Sequence, residues 1–462
     1  MSKIVQAAQY LPSIREPEKE QSLKEMLTWT GLTLLLYFVL GSVDLWAPPG
    51  AASFDQALGQ LQTFQTLLGA QIGSIITLGI GPIVTSSIVL QMVVGSELLN
   101  WNTNTQAGKQ KFQSAQKVLA YALSIVEAVG YVAAGTFGSI TDPTVFAIVS
   151  AQIAIGGIMI ILMDDLIQKW GFGSGTGLFI SAGVSKAIYI GFISPLDASG
   201  SWVGIASQAA GSIPSFVASS DIGALVSPLF TILVFGIVVY LQAMRVEVPL
   251  TFGNVRGFGQ KWPLKFLYTS VMPVILIAAL VTNLQIVGTT LAGQDNCSPL
   301  GCVDAEGQAT SGLIALLQPP RDVIQSALNG TLGVFGTGSI FHILFYLLVY
   351  IFGSILFSIF WMKTSGQDAD SVADQIQNTG MKVPGFRKDK RVIKKVLNRY
   401  IPGLTVLSGA TIGALAALAN MTQAAGGGTG ILLTVMILYQ MYEELAQKHM
   451  EELHPAMKDF FQ

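Results

Sequence analysis

The stretch TLGIGPIVTSSIVLQ (residues 77–91) lies in an apolar run long enough to cross a membrane, yet it contains a helix breaker and three successive hydroxyl residues. Gly-Ile-Gly-Pro at 79–82 predicts a break in regular structure, because glycine adopts unusual backbone angles and proline lacks a backbone donor. Thr85, Ser86 and Ser87 begin three residues after this break. Small residues let membrane helices pack closely, which is sufficient reason for Ser86 and Ser87.

The whole chain of 462 residues has the composition of a polytopic membrane protein. Hydrophobic residues make up 51% and charged residues 11%, whereas soluble proteins contain about 25% charged residues. A membrane helix needs about 20 apolar residues. Ten segments meet this need: 27–46, 72–94, 113–137, 143–163, 175–194, 222–244, 264–290, 339–362, 401–421 and 428–447. The segment 54–70 is too short and too rich in Gln to cross, so we predict a re-entrant helix there.

The distribution of Lys and Arg predicts the orientation. Of the 25 basic residues, 23 fall in or beside predicted cytosolic segments, whereas Lys186 lies within a predicted span and Arg321 in a loop on the side opposite the termini. The positive-inside rule therefore places both termini in the cytosol. The predicted organisation is a cytosolic N-terminal segment (1–26), a first five-helix half (27–195), an outer linker (196–221), a second five-helix half (222–447) and a cytosolic tail (448–462).

Five spans are an odd number, so a second five-span unit must be inverted with respect to the first. Inverted repeats place a transport pathway at their interface. This prediction rests on the count and spacing of the spans, since no repeat is clear at the level of residues. Gly-rich helix starts at 79–82, 171–177 and 426–430 further indicate helices that pack closely at a centre.

Two predicted cytosolic loops, 245–265 and 363–400, are basic. The second contains GFRKDKRVIKKVLNRY (385–400), which is denser in Lys and Arg than membrane orientation alone requires. A polyanion such as ribosomal RNA, or anionic lipid headgroups, would suit this loop.

Sequence signatures of enzymes are absent. The chain has no P-loop and no H-E-x-x-H, and its three histidines do not form a catalytic constellation with other residues. We predict no catalytic residues, no metal and no cofactor. The cysteines, Cys297 and Cys302, lack the C-x-x-C spacing and a third ligand, so they are either two inert thiols or a disulfide in an outer loop.

Glu127, in SIVEAVG, is the ionisable residue predicted to lie deepest in a span. It is either a hydrogen-bonding partner across a helix interface or a structural carboxyl near water or in its protonated form. A small-solute transporter built on inverted repeats is the rival interpretation, but it would need polar groups near the midplane. A membrane-embedded enzyme would need a catalytic constellation.

Longer motifs are more specific, and through them the chain resembles the SecY family, the large subunit of the protein-conducting translocon, most closely its archaeal members. The resemblance covers nearly the whole chain. The motifs are LKEMLTWTGLTLLLYFVLG (23–41), IGSIITLGIGPIVTSSIVLQ (72–91), GFGSGTGLFISAGVS (171–185), GFRK (385–388), RYIPGLTVLSGA (399–410) and GGGTGILLTV (426–435).

The resemblance implies an all-α fold of two inverted five-helix halves around a central pore. It makes 54–70 a plug helix and places a ring of mostly aliphatic side chains at the constriction: Ile80, Val84, Thr176, Ile180, Ile275 and Leu433. Thr176 departs from the family, because the archaeal pattern is aliphatic there. The resemblance further implies a polar cluster at a lateral gate, formed by Thr85, Glu127 and Asn283.

The implied activity is passive passage of signal-sequence-bearing polypeptides across the plasma membrane, with sideways release of membrane segments. The implied partners are the nascent polypeptide, membrane lipid, the ribosome and two small single-span subunits, one SecE-like and one Sec-beta-like. The residues expected to contact the ribosome are Arg256, Arg387 and Lys388.

Overall fold

A computed structural model of the protein describes residues 10–18, 21–46, 48, 69–71, 73–95, 98–99, 101, 105–133, 137, 140, 142–193, 226–249, 251–252, 261–269, 272–292, 297–298, 301–303, 309–320, 323, 339–378, 381–382, 390–422 and 427–453. The helices are α1 (Leu23–Gly41), α2 (Gly81–Gly95), α3 (Gln106–Ala133), α4 (Pro143–Trp170), α5 (Gly175–Ile193), α6 (Val226–Ala243), α7 (Met272–Ala292), α8 (Gly312–Leu317), α9 (Ile340–Thr364), α10 (Ala369–Asn378), α11 (Lys390–Met421) and α12 (Gly428–Leu453). The strands are β1 (Arg245–Pro249), β2 (Thr251–Phe252), β3 (Lys261–Lys265), β4 (Cys297–Ser298), β5 (Gly301–Val303), β6 (Ala309–Ser311) and β7 (Met381–Lys382).

Within the described residues, every helix except α8 and α10 coincides with one of the ten predicted spans. Five of them (α1, α4, α5, α9 and α11) are long and apolar enough to cross a membrane by length and composition, and α2, α6 and α7 contain shorter apolar helices. The protein is therefore an all-α, multi-pass membrane protein. The predicted plug falls largely outside the described residues, which include only its last two positions, Gly69 and Ala70.

The break in the opening motif lies where the sequence predicts it, but the helix is shorter than the predicted span. Residues 75–80 form consecutive turns, and α2 begins only at Gly81. Gly79 has a φ of +52°, which an L side chain rarely adopts. Pro82 is compatible with the first turn of α2 because the backbone N–H groups there have no helical acceptor.

The second half contains a helix pair whose close packing depends on small residues. Ser354 and Ser358 on α9 face Gly409 and Gly413 on α11. A methyl group on Gly409 would lie 2.6 Å from Ser358 Oγ, and one on Gly413 would lie 2.6 Å from the Tyr350 carbonyl oxygen. Small residues four apart thus bring the two backbones together, as is common between membrane helices.

The described parts of the two predicted cytosolic loops contain strands and helices that pack into one unit. β1 and β3 form an antiparallel hairpin, and β2 pairs with β7 from the other loop. Val248 and Leu264 of the hairpin share a hydrophobic core with Ile376 of α10 and Leu397 of α11. We call this unit the loop module: β1, β2, β3, α10, β7 and the first turns of α11, which begins eleven residues before the predicted span.

Hydrogen bonds and ion pairs also hold the described part of the N-terminal segment. Asp165 near the end of α4 accepts a hydrogen bond from the Ile14 backbone N–H (2.9 Å) and forms ion pairs with Lys117 (3.3 Å) and Lys169 (3.1 Å). The Trp170 indole N–H donates to the Arg15 carbonyl. The segment before α1 is therefore held across the ends of α3 and α4.

Candidate functional site: an aliphatic collar

Five of the six predicted ring residues lie in one hydrophobic cluster, which we call the collar. Each side chain is at most 5% exposed: Ile80, Val84, Ile180, Ile275 and Leu433. Ile80 immediately precedes α2, and the others lie within the first two turns of α2, α5, α7 and α12. Helix starts from both halves therefore contribute buried aliphatic side chains to one hydrophobic core.

The helix starts that carry the collar are related in pairs across the two halves. Pro82 of α2 and Pro273 of α7 each stand two residues before a collar residue, Val84 and Ile275. Both α5 and α12 begin with Gly-Thr-Gly, and the collar residue lies four positions after the threonine in each. A residue-level repeat therefore exists at the collar, although it is only two or three residues long.

α5 and α12 cross each other in an antiparallel and nearly symmetric way. A methyl group on Gly177 of α5 would lie 3.1 Å from Ile437 of α12, and one on Gly430 of α12 would lie 2.9 Å from Val184 of α5. Each contact joins the second glycine of one Gly-Thr-Gly to the residue that lies seven positions after the second glycine of the other. The two collar residues of these helices lie between the two contacts.

Thr176 differs from the other predicted ring residues in its contacts. Its backbone N–H and its hydroxyl donate to Asp164 Oδ1, at 2.7 and 3.0 Å. The side chain thus binds to the end of α4 and holds the first turn of α5. Its place as a sixth ring member stays a prediction. Asp164 is 7% exposed and also accepts from Gln168 Nε2 at 2.8 Å.

The equivalent threonine of α12 is held in the same way. The Thr429 backbone N–H donates to Asn420 Oδ1 at 3.0 Å, with its hydroxyl at 3.4 Å from the same atom. Asn420 Nδ2 in turn donates to the Tyr346 hydroxyl of α9 at 2.9 Å. The sequence analysis missed both Asp164 and Asn420. The signal that could have identified them is a carboxyl or amide side chain shortly before each Gly-Thr-Gly.

The structure brings together two of the three residues predicted for the lateral gate. The side chains of Thr85 on α2 and Glu127 on α3 lie close enough to interact. Asn283 on α7 is half-buried, and no hydrogen bond within the described residues joins it to either of them. Ser87 adds a second link, because Gln116 Nε2 of α3 donates to its hydroxyl at 2.6 Å. The polar groups of the opening motif therefore fasten α2 to α3.

The loop module is joined to the collar helix α12 through Glu443. This carboxylate pairs with Arg245 at 2.7 Å and with Lys265, and these two basic residues face each other across the hairpin. On the other side of the module, the hydrogen bond and charge of Lys394, aided by Lys390, lower the pKa of Asp370. Arg256, Arg387 and Lys388, the predicted ribosome contacts, lie outside the described residues.

The cysteines lie in a small sheet that follows α7. Cys302 is disulfide-bonded, and the backbones of Cys297 and Cys302, the two cysteines in the chain, pair directly in the β4–β5 ladder.

Comparisons with known proteins agree with this geometry. The family model of SecY matches residues 74–442. The protein translocase subunit SecY of Methanocaldococcus jannaschii is 39% identical over 458 residues, which cover 99% of each chain. The solved structure of a protein-conducting channel superposes with a TM-score of 0.84 at 38% identity over 99% of both chains, and Sec61 in a canine ribosome–channel complex with 0.81 at 38% identity and the same coverage. The chain therefore belongs to the SecY family and is the channel-forming subunit of a protein translocase.

Proposed function

We propose that polypeptides cross the membrane through the collar. The observation that carries this proposal is that five aliphatic side chains, all at helix starts of the two halves, are buried in one hydrophobic cluster. An aliphatic constriction offers water and ions no replacement for their hydration, so it blocks them by dewetting. It also offers no fixed hydrogen bonds, so an extended chain of any sequence can slide through it.

The exit into the lipid lies between α2 of the first half and α7 and α9 of the second. These helices contact each other across the two halves. Gln116 donates to Ser87, and Thr85 and Glu127 interact beside this bond, so α2 and α3 move together when this seam opens. Polar contacts between membrane helices contribute under about 2 kcal/mol each. A signal sequence that buries several additional methylenes at about 0.8 kcal/mol each is sufficient to overcome them.

Residues 54–70 act as the plug that fills the outer funnel at rest. This proposal is supported by the contacts at the end of the segment. The Tyr37 hydroxyl donates to the Gly69 carbonyl at 2.6 Å, and the Tyr37 ring stacks on Phe179, the neighbour of the collar residue Ile180.

The loop module is the docking surface for the ribosome, with Arg256, Arg387 and Lys388 as contacts. The described basic strands and helices support this, as does the similarity to Sec61 in a ribosome–channel complex. The protein works in the plasma membrane with both termini in the cytosol, together with a SecE-like and a Sec-beta-like single-span subunit. Because the sequence contains no P-loop, the ribosome or another partner supplies the driving force.

Site-specific photo-crosslinking tests the path. A photoreactive residue replaces Leu433, or Leu438 of the same helix, which is 48% exposed and serves as the matched control. Ribosomes stalled on a secretory chain are then added to the reconstituted complex. We expect a crosslink to the nascent chain from position 433 that requires the signal sequence, and none from position 438. Equal crosslinking from both, or from neither while ribosomes bind, would place the path elsewhere.

Polar substitution of the collar gives a second test. Ile80→Asn and Val84→Asn should make reconstituted vesicles leaky to ions, because amide groups hydrate the constriction. A solute transporter with the same substitutions would instead lose uptake without a leak.

A further inference from the structure

The first three turns of α11 carry five basic side chains that divide between two faces of the helix. Lys390 and Lys394 form the inner face, towards α10. Lys390 pairs with Asp374 at 2.7 Å and Lys394 pairs with Asp370. These two charges are matched by carboxylates inside the loop module.

The outer face carries Arg391, Lys395 and Arg399, which are all exposed. Their spacing of four residues aligns them along one side of the helix. Within the described chain, no carboxylate forms an ion pair with Lys395 or Arg399, since the α10 carboxylates contact the other face. The basic stretch that the sequence presents as one cluster is therefore two chemically different surfaces.

The outer face continues into the surface that meets the hydrocarbon. Val406 lies on the same side of α11 and is 42% exposed although it is apolar. At about 1.5 Å per residue, Arg399 lies roughly 10 Å from Val406 along the axis, Lys395 roughly 16 Å and Arg391 roughly 22 Å. The predicted span begins at residue 401, which places Arg399 about 3 Å and Lys395 about 9 Å outside the hydrocarbon.

We propose that Arg399 and Lys395 bind headgroup phosphates of anionic lipids in the leaflet at the N-terminal end of α11. The headgroup layer is about 5–7 Å thick on each side of the bilayer. Arg399 lies within it, and the Lys395 side chain is long enough to reach back into it. Arg391 lies beyond it and senses only the screened surface potential. The inference rests on the membrane placement in the proposed function and assigns a second, lipid-binding role to the basic stretch.

Lipid titration of the full chain in detergent, followed by native mass spectrometry, tests this site. The probe is phosphatidylglycerol, with phosphatidylcholine as the neutral comparison. A juxtamembrane basic residue contributes about five-fold in affinity for an anionic surface. We therefore expect Lys395→Gln/Arg399→Gln to weaken phosphatidylglycerol binding by roughly 25-fold, Arg399→Gln more than Lys395→Gln, and Arg391→Gln least.

The matched control removes the same charge from the inner face. Lys390→Gln/Lys394→Gln should leave phosphatidylglycerol binding unchanged. Equal losses from the inner and outer pairs, or no loss from the outer pair, would overturn the proposal.

Ribosome affinity of the same variants is measured in parallel. An outer pair that weakens ribosome binding but not lipid binding would make this face a ribosome contact and would also overturn it. Loss of the lipid site leaves crosslinking from position 433 intact, so the two proposals fail independently.

Discussion

The starts of α5 and α12 use the same three residues, Gly-Thr-Gly, but different acceptors. In the first half, the threonine donates to a carboxylate, Asp164, and in the second to an amide, Asn420. A carboxylate only accepts hydrogen bonds, and it interacts favourably with the positive end of a helix. An amide also donates, and Asn420 uses that donor to bind Tyr346 of α9.

The same Gly-Thr-Gly helix start is thus held by a side-chain acceptor in two different environments. Asp164 lies at the end of α4, where polar and charged side chains surround it, including Gln168 at 2.8 Å. Asn420 lies at the end of α11, where it contacts the start of α12 and the buried Tyr346 of α9. In both halves the acceptor fixes the helix start, and the helix start positions a collar residue one turn later.

The first glycine of each motif should give the largest effect when it is substituted. A methyl group on Gly428 would lie 2.0 Å from the Ala419 carbonyl carbon, whereas one on Gly175 would lie 2.7 Å from Asp164 Oδ1 and 2.8 Å from Asp164 Cα, a less severe overlap. We expect Gly428→Ala to lower the free energy of unfolding by roughly 3 kcal/mol and Gly175→Ala by roughly 2 kcal/mol. Denaturation of the purified protein in detergent, followed by intrinsic fluorescence, measures both.

Gly403→Ala on α11 is the control, because nothing lies within 4 Å of a methyl group there. It should be neutral or slightly stabilising. If Gly428→Ala behaved like Gly403→Ala, the close approach of α12 to the end of α11 would be refuted.

The acceptors should rank next. Asp164→Ala leaves the Thr176 N–H, its hydroxyl and the Gln168 amide without their acceptor in a buried place. We expect a loss of about 2–3 kcal/mol. Asp164→Asn keeps an oxygen acceptor, as the second half does naturally, and should lose only about 1 kcal/mol. Equal losses from the two variants would show that the charge, and not the acceptor, holds α5, which would break the analogy with Asn420.

The sequence predicts the membrane helices well because the signal for each is long. A span must place about 20 apolar residues in hydrocarbon, so all ten are recognisable in 462 residues. Helix starts are less predictable. Gly-Ile-Gly-Pro at 79–82 predicts the break, but the apolar residues before it give no indication that the backbone already turns from residue 75.

The loop module was not predicted because its elements are short and joined over long distances. β2 and β7 have two residues each and pair across more than a hundred residues of chain. Strands of that length have no recognisable alternation of apolar and polar residues. Likewise, the separation of the basic residues of α11 into two faces depends on the position of α10, which the sequence of α11 does not contain.

Most of the collar was predictable through family resemblance, but the contact that Thr176 makes was not. The position aligns with a ring residue, but its neighbour in space is Asp164, twelve residues earlier on the preceding helix. Gly-Thr-Gly has only three residues, which are too few to be recognised as a repeat from the sequence. The pairing becomes visible only when both helix starts are seen with their acceptors.

Removal of the threonine hydroxyls should have the smallest effect on stability. It also tests whether Thr176 belongs to the ring. Thr176→Val removes a hydrogen bond of 3.0 Å but keeps the backbone contact of 2.7 Å, so we expect a loss of about 1 kcal/mol. Thr429→Val removes a weaker contact of 3.4 Å and should lose about 0.5 kcal/mol. Ion conductance of the resting channel in planar bilayers should stay unchanged in both. A Thr176→Val variant that kept its stability and sealed the resting channel more tightly would instead return Thr176 to the collar, because an added aliphatic group improves the seal only where it lines the pore.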